Sequence, residues 1–201
     1  MVGVTIMAFL LASAVPSFSE WIRNASIRSE AESILNGLQH ARMEAVRRNT
    51  AVRFQLTDTT DNNCALSASG TNWVVNMTSD ATPASQCAST PSDQATPYIL
   101  QVGPAASNSV AVTLTSSAAP TPPPVVTFNG FGQQTKATNP TTSTGVVNID
   151  VMPSQGASTC LPPTGTGTSR CLRIQVMPAG LTRLCDPAAS ASSNSAAAAC
   201  S

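Results

Sequence analysis

Residues 27–57 read IRSEAESILNGLQHARMEAVRRNTAVRFQLT, and the spacing of the apolar residues changes within this stretch. In its first part the apolar residues recur in steps of 4, 3, 4, 3 and 4, which is the period of one face of an α-helix. The residues on this face are Ile27, Ala31, Ile34, Leu38, Ala41 and Ala45. The sequence therefore predicts a helix that buries this stripe against a globular domain.

The opposite face of the predicted helix is polar and is assigned to solvent. Its charged residues are Arg28, Glu30, Glu32, Arg42, Glu44, Arg47 and Arg48. Positive charge at the carboxyl end favours the helix dipole, and Asn49 is expected to end the helix. His40 lies on this charged side and is predicted to be a surface residue. Gly37 is the weakest helix former in the run.

After residue 50 the period of the pattern becomes two. Residues 51–57 alternate between apolar and polar side chains, which predicts a half-buried strand. Its apolar side carries Val52, Phe54 and Leu56, and its other side carries Arg53, Gln55 and Thr57.

Further strand-like runs follow, separated by clusters of Ser, Thr, Pro, Gly and Asn. These runs are residues 72–77, 98–102, 109–114, 125–130, 146–151, 171–177 and 181–185. The predicted fold class is α+β, with a long N-terminal helix packed on an antiparallel sheet or sandwich of about seven or eight strands.

The chain opens with a run without charge, Met1 to Val15, which Pro16 follows. The run is shorter than the ~20 residues that span a bilayer, and it lacks the positive n-region of a secretory signal. Because membrane helices tolerate proline, one helix with a kink is predicted from Met1 to about Arg48. Its membrane- or filament-facing residues are Val2, Val4, Ile6, Phe9, Leu10, Leu11, Val15 and Pro16.

A second interpretation of this run is a secretory signal. The tripeptide Ala12-Ser13-Ala14 fits an A-x-A cleavage site, so a secreted β protein cut after Ala14 stays as an alternative. On the membrane interpretation, Trp21 is well placed for the lipid–water interface.

The six cysteines predict disulfides and an oxidising compartment, because their number is even and none forms a CxxC pair. With one histidine in the chain, a zinc site is not favoured. Sequence neighbours suggest the pairs Cys64–Cys87, Cys160–Cys171 and Cys185–Cys200, although spacing does not choose among the pairings. The alternative is free buried thiols.

Composition and motifs argue against an enzyme. A formal net charge of zero gives no global field for nucleic acid. The sequence contains no Gly-rich phosphate loop, GxSxG or HExxH motif, so no catalytic residue, cofactor, metal or small-molecule substrate is expected. The loop with Asp58 and Asp61 lacks the glycine and terminal glutamate of an EF-hand and is predicted to be a turn.

The segment from Trp21 to Phe54 resembles the GspH/FimT family, which comprises minor pilins of type IV pili and H-type minor pseudopilins of type II secretion. In that family a pattern L..AR.EAI.RN..V joins the helix to the first strand. The matching residues here are Leu38, Ala41, Arg42, Glu44, Ala45, Val46, Arg48, Asn49 and Val52. Residues 126–132 resemble the family's late strand and turn, and residues 173–187 resemble its C-terminal hairpin.

The resemblance implies a structural subunit whose N-terminal helix packs with those of other pilins or pseudopilins in a filament, and lies in inner-membrane lipid before assembly. It implies a single-pass bacterial inner-membrane protein with a periplasmic C-terminal domain. The expected divisions are an apolar helix half (1–16), an amphipathic half (17–49), a β domain (50–187) and a low-complexity tail (188–201).

Prepilins carry a basic leader, a cleavage motif and an early glutamate, and this sequence reads as if it began just after them. We therefore expect a natural start upstream of Met1.

A DNA-binding role in natural transformation is the alternative within the family. Some FimT-like minor pilins carry a basic G-R-x-R motif in the C-terminal hairpin. Residues 180–183 align with this motif, and of its two arginine positions only the second is an arginine here, Arg183. Arg170 and Arg173 lie nearby in sequence and complete the candidate set. Because phosphate contacts need several cations acting together, this alternative has weaker support.

Overall fold

The computed structural model describes residues 2–77, 83–119, 123, 125–136, 144–156, 159–189 and 199–200, with the backbone alone described for residues 2–17. Within these residues one α-helix precedes eight β-strands. The elements are α1 (Val2–Arg48), β1 (Val52–Thr57), β2 (Asn72–Met77), β3 (Ile99–Val102), β4 (Val110–Ser116), β5 (Val125–Phe128), β6 (Val147–Pro153), β7 (Leu172–Val176) and β8 (Thr182–Cys185).

The strands form two antiparallel sheets of four strands each. The first sheet has the order β3-β2-β1-β5 and the second has the order β4-β6-β7-β8. Helix α1 contacts strands of both sheets, and its residues form one hydrophobic core with residues of the two sheets. The predicted α+β fold, with its long helix on an antiparallel domain, is confirmed, and each predicted strand is present with bounds that differ by at most two residues.

The apolar stripe of α1 lies at the centre of this core. All six stripe residues, from Ile27 to Ala45, have no exposed surface, and they pack with Phe54, Trp73 and Phe128 of the first sheet. Burial of this stripe supplies the hydrophobic stabilisation that holds the helix on the domain.

The prediction that β1 is half-buried was wrong, because all six of its residues are buried. Its polar face, with Arg53, Gln55 and Thr57, is covered by the chain that follows β1, where a second cluster joins Cys64, Val74, Cys87 and Ile99.

The amide of Gln55 on this covered face donates a hydrogen bond to the Asn76 side chain. Burial lowers the pKa of the Arg53 guanidinium. The disulfide-linked loop thus gives the first sheet a second, small core on its outer side.

The family-like pattern at the helix end builds the junction with β1. Arg42 Nε donates to the carbonyl oxygen of Gly132 at 3.0 Å, which ties the helix to the turn after β5. Glu44 accepts hydrogen bonds from Arg47 and Arg48, and these bonds lower the pKa of its carboxyl group, with that from Arg47 the largest cause. Asn49 ends the helix in the left-handed region, with φ of 48°.

Three disulfides join the neighbouring cysteines that the sequence suggested: Cys64–Cys87, Cys160–Cys171 and Cys185–Cys200. The third fixes the end of the chain beside β8, where Asp186 and Ala199 also form a bridge. Residues 190–198 of the predicted tail lie outside the described residues.

Candidate assembly surface on helix α1

Large apolar side chains project from α1 just before it enters the core. Phe18, Trp21 and Ile22 are 62%, 66% and 46% exposed. The rings of Phe18 and Trp21 stack on each other with centroids 6.0 Å apart. A cluster of exposed aromatic side chains indicates an interaction surface, whereas single exposed apolar residues are common on protein surfaces.

A groove of about 500 Å³, here called the β8 groove, runs between α1 and the β7–β8 hairpin. Its lining includes the apolar side chains of Trp21, Leu172 and Leu184 and the charged side chains of Arg28 and Arg170. Residues 168–170 are hydrogen-bonded to the helix, since the Thr168 hydroxyl donates to Glu20 and the Arg170 amide donates to Asn24.

A second groove of about 410 Å³, here called the Glu30 groove, lies between α1 and the loop after β3. Its helix side carries Ile22, Ala25, Ser29 and Glu30, and its loop side is formed by residues 104–107. Small side chains at residues 25, 29 and 33 recur four residues apart, which allows another element to approach the helix backbone closely.

The assignment of Glu30 to the solvent face was wrong, because this residue is only 8% exposed. It lies beside Ala31 of the buried stripe and lines the Glu30 groove together with the loop of residues 104–107. Burial raises the pKa of its carboxyl group from 4.5 to about 7. No hydrogen bond or ion pair reaches this carboxylate from the described residues.

His40 is half-buried, so the prediction of a surface residue holds only in part. Its Nε2 is 4.0 Å from Glu44, and its Nδ1 is buried without a hydrogen-bond partner among the described residues.

The loop of Asp58 and Asp61 is a turn, as predicted. Asp61 accepts from the Asn63 amide and the Thr59 hydroxyl. Among the described residues no group of three or more His, Cys, Asp or Glu could hold a metal ion.

The three arginines that were candidates for DNA contact lie on or beside the β7–β8 hairpin, and two of them are engaged in the sheet. Arg173 makes two hydrogen bonds to Asp150 on β6, at 2.6 and 3.0 Å. Arg183 donates twice to Gln175. Arg170 is highly exposed, with Asp186 at 3.8 Å.

Sequence reasoning missed a second apolar patch, at the junction end of α1. Met43, Val46, Phe131 and Leu181 are all exposed, and the turns that carry Phe131 and Leu181 touch through Gly132 and Gly180. Both glycines have positive φ. The sequence signal that could have found the patch was apolar residues in turns, namely Phe131 between two glycines and Leu181 after a third.

The first part of α1 contains the residues predicted to face a membrane or filament, from Val2 to Pro16. For these residues the structure describes the backbone alone. Within the residues that the structure describes, no helix has a stretch both long and apolar enough to cross a bilayer.

The fold defines an α+β protein in which a long N-terminal helix lies on an antiparallel β domain of two sheets. Residues 30–180 match the family described as type II transport protein GspH, and the chain belongs to this family.

Two crystal structures of the type IV minor pilin FimU from Pseudomonas aeruginosa are similar to this chain. In space group P65 the similarity covers 78% of this chain and 90% of that chain, with 15% identity and a TM-score of 0.45. In space group P21 it covers 79% and 87%, with 15% identity and a TM-score of 0.46. No curated protein matches the sequence.

Proposed function

We propose that the chain is a non-enzymatic structural subunit, a minor pilin or pseudopilin that helps to initiate or cap a type IV pilus or a type II secretion pseudopilus. The observation that carries this proposal is the division of α1. One face of its later half is buried in the domain, whereas Phe18, Trp21 and Ile22 are exposed on the segment before it. Membership of the GspH family supports the same role.

Before assembly, in this proposal, the first part of α1 lies in the inner membrane and the β domain lies in the periplasm. The uncharged run from Met1 to Val15 supports this placement, because a helix without a polar face must be buried in lipid or among like helices. The three disulfides fit an oxidising compartment such as the periplasm.

Photo-cross-linking in cells tests the proposed role. We expect a chain expressed from its own locus, with benzoylphenylalanine in place of Phe18, to fractionate with the inner membrane. It should also form covalent adducts with other pilins or pseudopilins. The matched control carries the same group in place of Gln155, an exposed residue of the β domain, and reports random encounters. A fully soluble chain whose adducts contain no filament subunit would contradict the proposal.

DNA binding is the alternative with less support. The clustering of Arg170, Arg173 and Arg183 near one hairpin favours it, and their engagement with Asp186, Asp150 and Gln175 weighs against it. This role predicts a gel shift with duplex DNA at low salt that weakens in Arg183→Ala. The absence of any shift at low salt would end this alternative.

A further inference from the structure

We propose that the Glu30 groove is a docking site for a lysine or arginine side chain of a neighbouring filament subunit, with the Glu30 carboxylate as its partner. This inference rests on the proposed function, because it names a contact that a subunit of a filament would make. The occupant is identified by charge complementarity, by the depth of the carboxylate and by the small side chains along the groove.

The charge argument begins with a largely buried carboxylate that has no partner among the described residues. Glu30 is more than nine-tenths buried, lines the groove and has no hydrogen bond or ion pair from the described residues. It is also the one charged side chain among the described residues that line the groove, on the helix or on the loop of residues 104–107. A buried charge without a partner is unfavourable, and burial accordingly raises the pKa of Glu30 to about 7. A cation placed in the groove would remove this penalty.

Other polar groups of the groove do not neutralise Glu30. The Ser26 hydroxyl donates to the carbonyl oxygen of Ile22, and the Ser33 hydroxyl accepts from the indole of Trp73. Neither serine carries a charge, and none of the described residues that line the groove supplies a cation to Glu30.

The kind of cation follows from the number and the depth of the ligands. A metal ion such as Ca²⁺ takes about six to eight oxygen ligands, and a single carboxylate among small side chains does not supply them. Lysine carries a compact positive charge and arginine a delocalised one, and each charge is at the end of a long apolar stem. Such a stem can reach a recessed carboxylate while its methylene groups contact the walls of the groove.

The surface around the groove fits a protein partner. Ile22 and Trp21 are exposed at one end of it, and Ala25 and Ser29 lie on the helix surface between this end and Glu30. A neighbouring element could therefore bury apolar surface on Trp21 and Ile22 while its basic residue enters the groove. Because the segment of Phe18 to Ile22 is the surface proposed for filament contact, the two sites are continuous.

Photo-cross-linking of the full chain in its native cells tests the proposal. Benzoylphenylalanine is placed at Ser29, on the rim of the groove, in the wild-type background and with Glu30→Gln. We expect a Ser29 adduct whose partner is another filament subunit and whose cross-linked region contains a lysine or arginine. Loss of one buried charge pair should lower the adduct yield by on the order of tenfold in Glu30→Gln.

Two controls make the readout specific. Glu32→Gln removes an exposed carboxylate that is paired with Arg28 on the same helix, and it should leave the Ser29 adduct unchanged. A charge exchange, with Glu30→Lys here and a glutamate in place of the partner's basic residue, should restore the adduct that Glu30→Lys alone abolishes. A misfolded variant would not be rescued by a change in another subunit.

Equal Ser29 adducts with and without the Glu30 carboxylate would overturn the proposal. So would the absence of a Ser29 adduct in cells where the Phe18 position still cross-links to filament subunits, and the proposed function would then stand. If neither position cross-links to a filament subunit, the proposed function itself fails, and this inference fails with it.

Discussion

Replacing Gly37 with leucine is expected to lower the free energy of unfolding by about 3 kcal/mol, the upper end of the usual cost of overpacking a core. A Cβ atom at residue 37 would lie 2.8 Å from Phe54 and 3.0 Å from Trp73. Both rings are buried in the core and pack against each other with centroids 5.7 Å apart, so they have little room to move.

Two effects oppose each other at this position, and the packing effect is the larger. Glycine in a helix interior costs about 1 kcal/mol relative to alanine, and leucine, a good helix former, recovers most of that amount. Leucine adds four carbon atoms where the first already contacts two aromatic rings more closely than ordinary contacts allow. The sequence showed only the weak helix former, whereas the structure shows why a side chain does not fit there.

Urea unfolding of the oxidised chain, followed by tryptophan fluorescence, measures the effect. Asn36→Leu is the matched control, because it introduces the same side chain at the next helix position, where the residue is exposed. A surface change of this kind should alter stability by no more than about 0.5 kcal/mol. A Gly37→Leu variant as stable as the wild type would show that the two rings do not confine this position.

The sequence predicted the helix, the eight strands and the buried stripe because each depends on a local period. Residues three and four apart share a helix face, and alternate residues share a strand face, whatever the rest of the chain does. The stripe from Ile27 to Ala45 is buried, and the strands lie within two residues of their predicted bounds, because both follow from these periods.

The errors fall where a distant segment covers a surface. Gln55 and Thr57 are polar and alternate with apolar residues, yet the disulfide-linked loop after β1 buries them. Glu30 lies beside the apolar stripe on the helix and is buried at the groove that the helix forms with the loop of residues 104–107. Neither loop has a repeating sequence pattern that predicts where it packs, so the sequence did not show that these polar residues would be buried.

The candidate assembly surface, like the fold, could be predicted from the sequence only in part. The apolar beginning of α1 follows from composition, but the grooves beside it depend on where the hairpin β7–β8 and the loop after β3 meet the helix. The arginines of the hairpin show the same limit, since only the register between β6 and β7 pairs Arg173 with Asp150.

The second large effect concerns Glu30 and pH. Folding raises the pKa of its carboxyl group from 4.5 to about 7, so the folded chain holds this proton more tightly than the unfolded chain does. The contribution of Glu30 to stability is therefore greatest below pH 4.5 and is lost as the pH rises to about 7. The difference between the two pKa values corresponds to about 3 kcal/mol.

Glu30→Gln is accordingly expected to have the same free energy of unfolding as the wild type at about pH 4. At about pH 8 it is expected to be more stable than the wild type by about 3 kcal/mol. Glutamine has the shape of the protonated side chain and cannot ionise, so it avoids the cost of a buried charge. The measurement is the free energy of unfolding of both chains in urea, taken at several pH values between these limits.

The difference between the two chains isolates Glu30 from other titrating groups. Glu44, whose pKa is lowered mainly by the hydrogen bond from Arg47, acts in the opposite direction, since its stabilisation is present above pH 4.5 and is lost as the pH falls. Because this contribution is common to both chains, it cancels in the difference. Glu32→Gln is the matched control, because Glu32 is exposed and its pair with Arg28 is worth little. A stability difference for Glu30→Gln that stays constant from acid to alkaline pH would contradict the prediction, because a carboxylate destabilised by burial must titrate within this range.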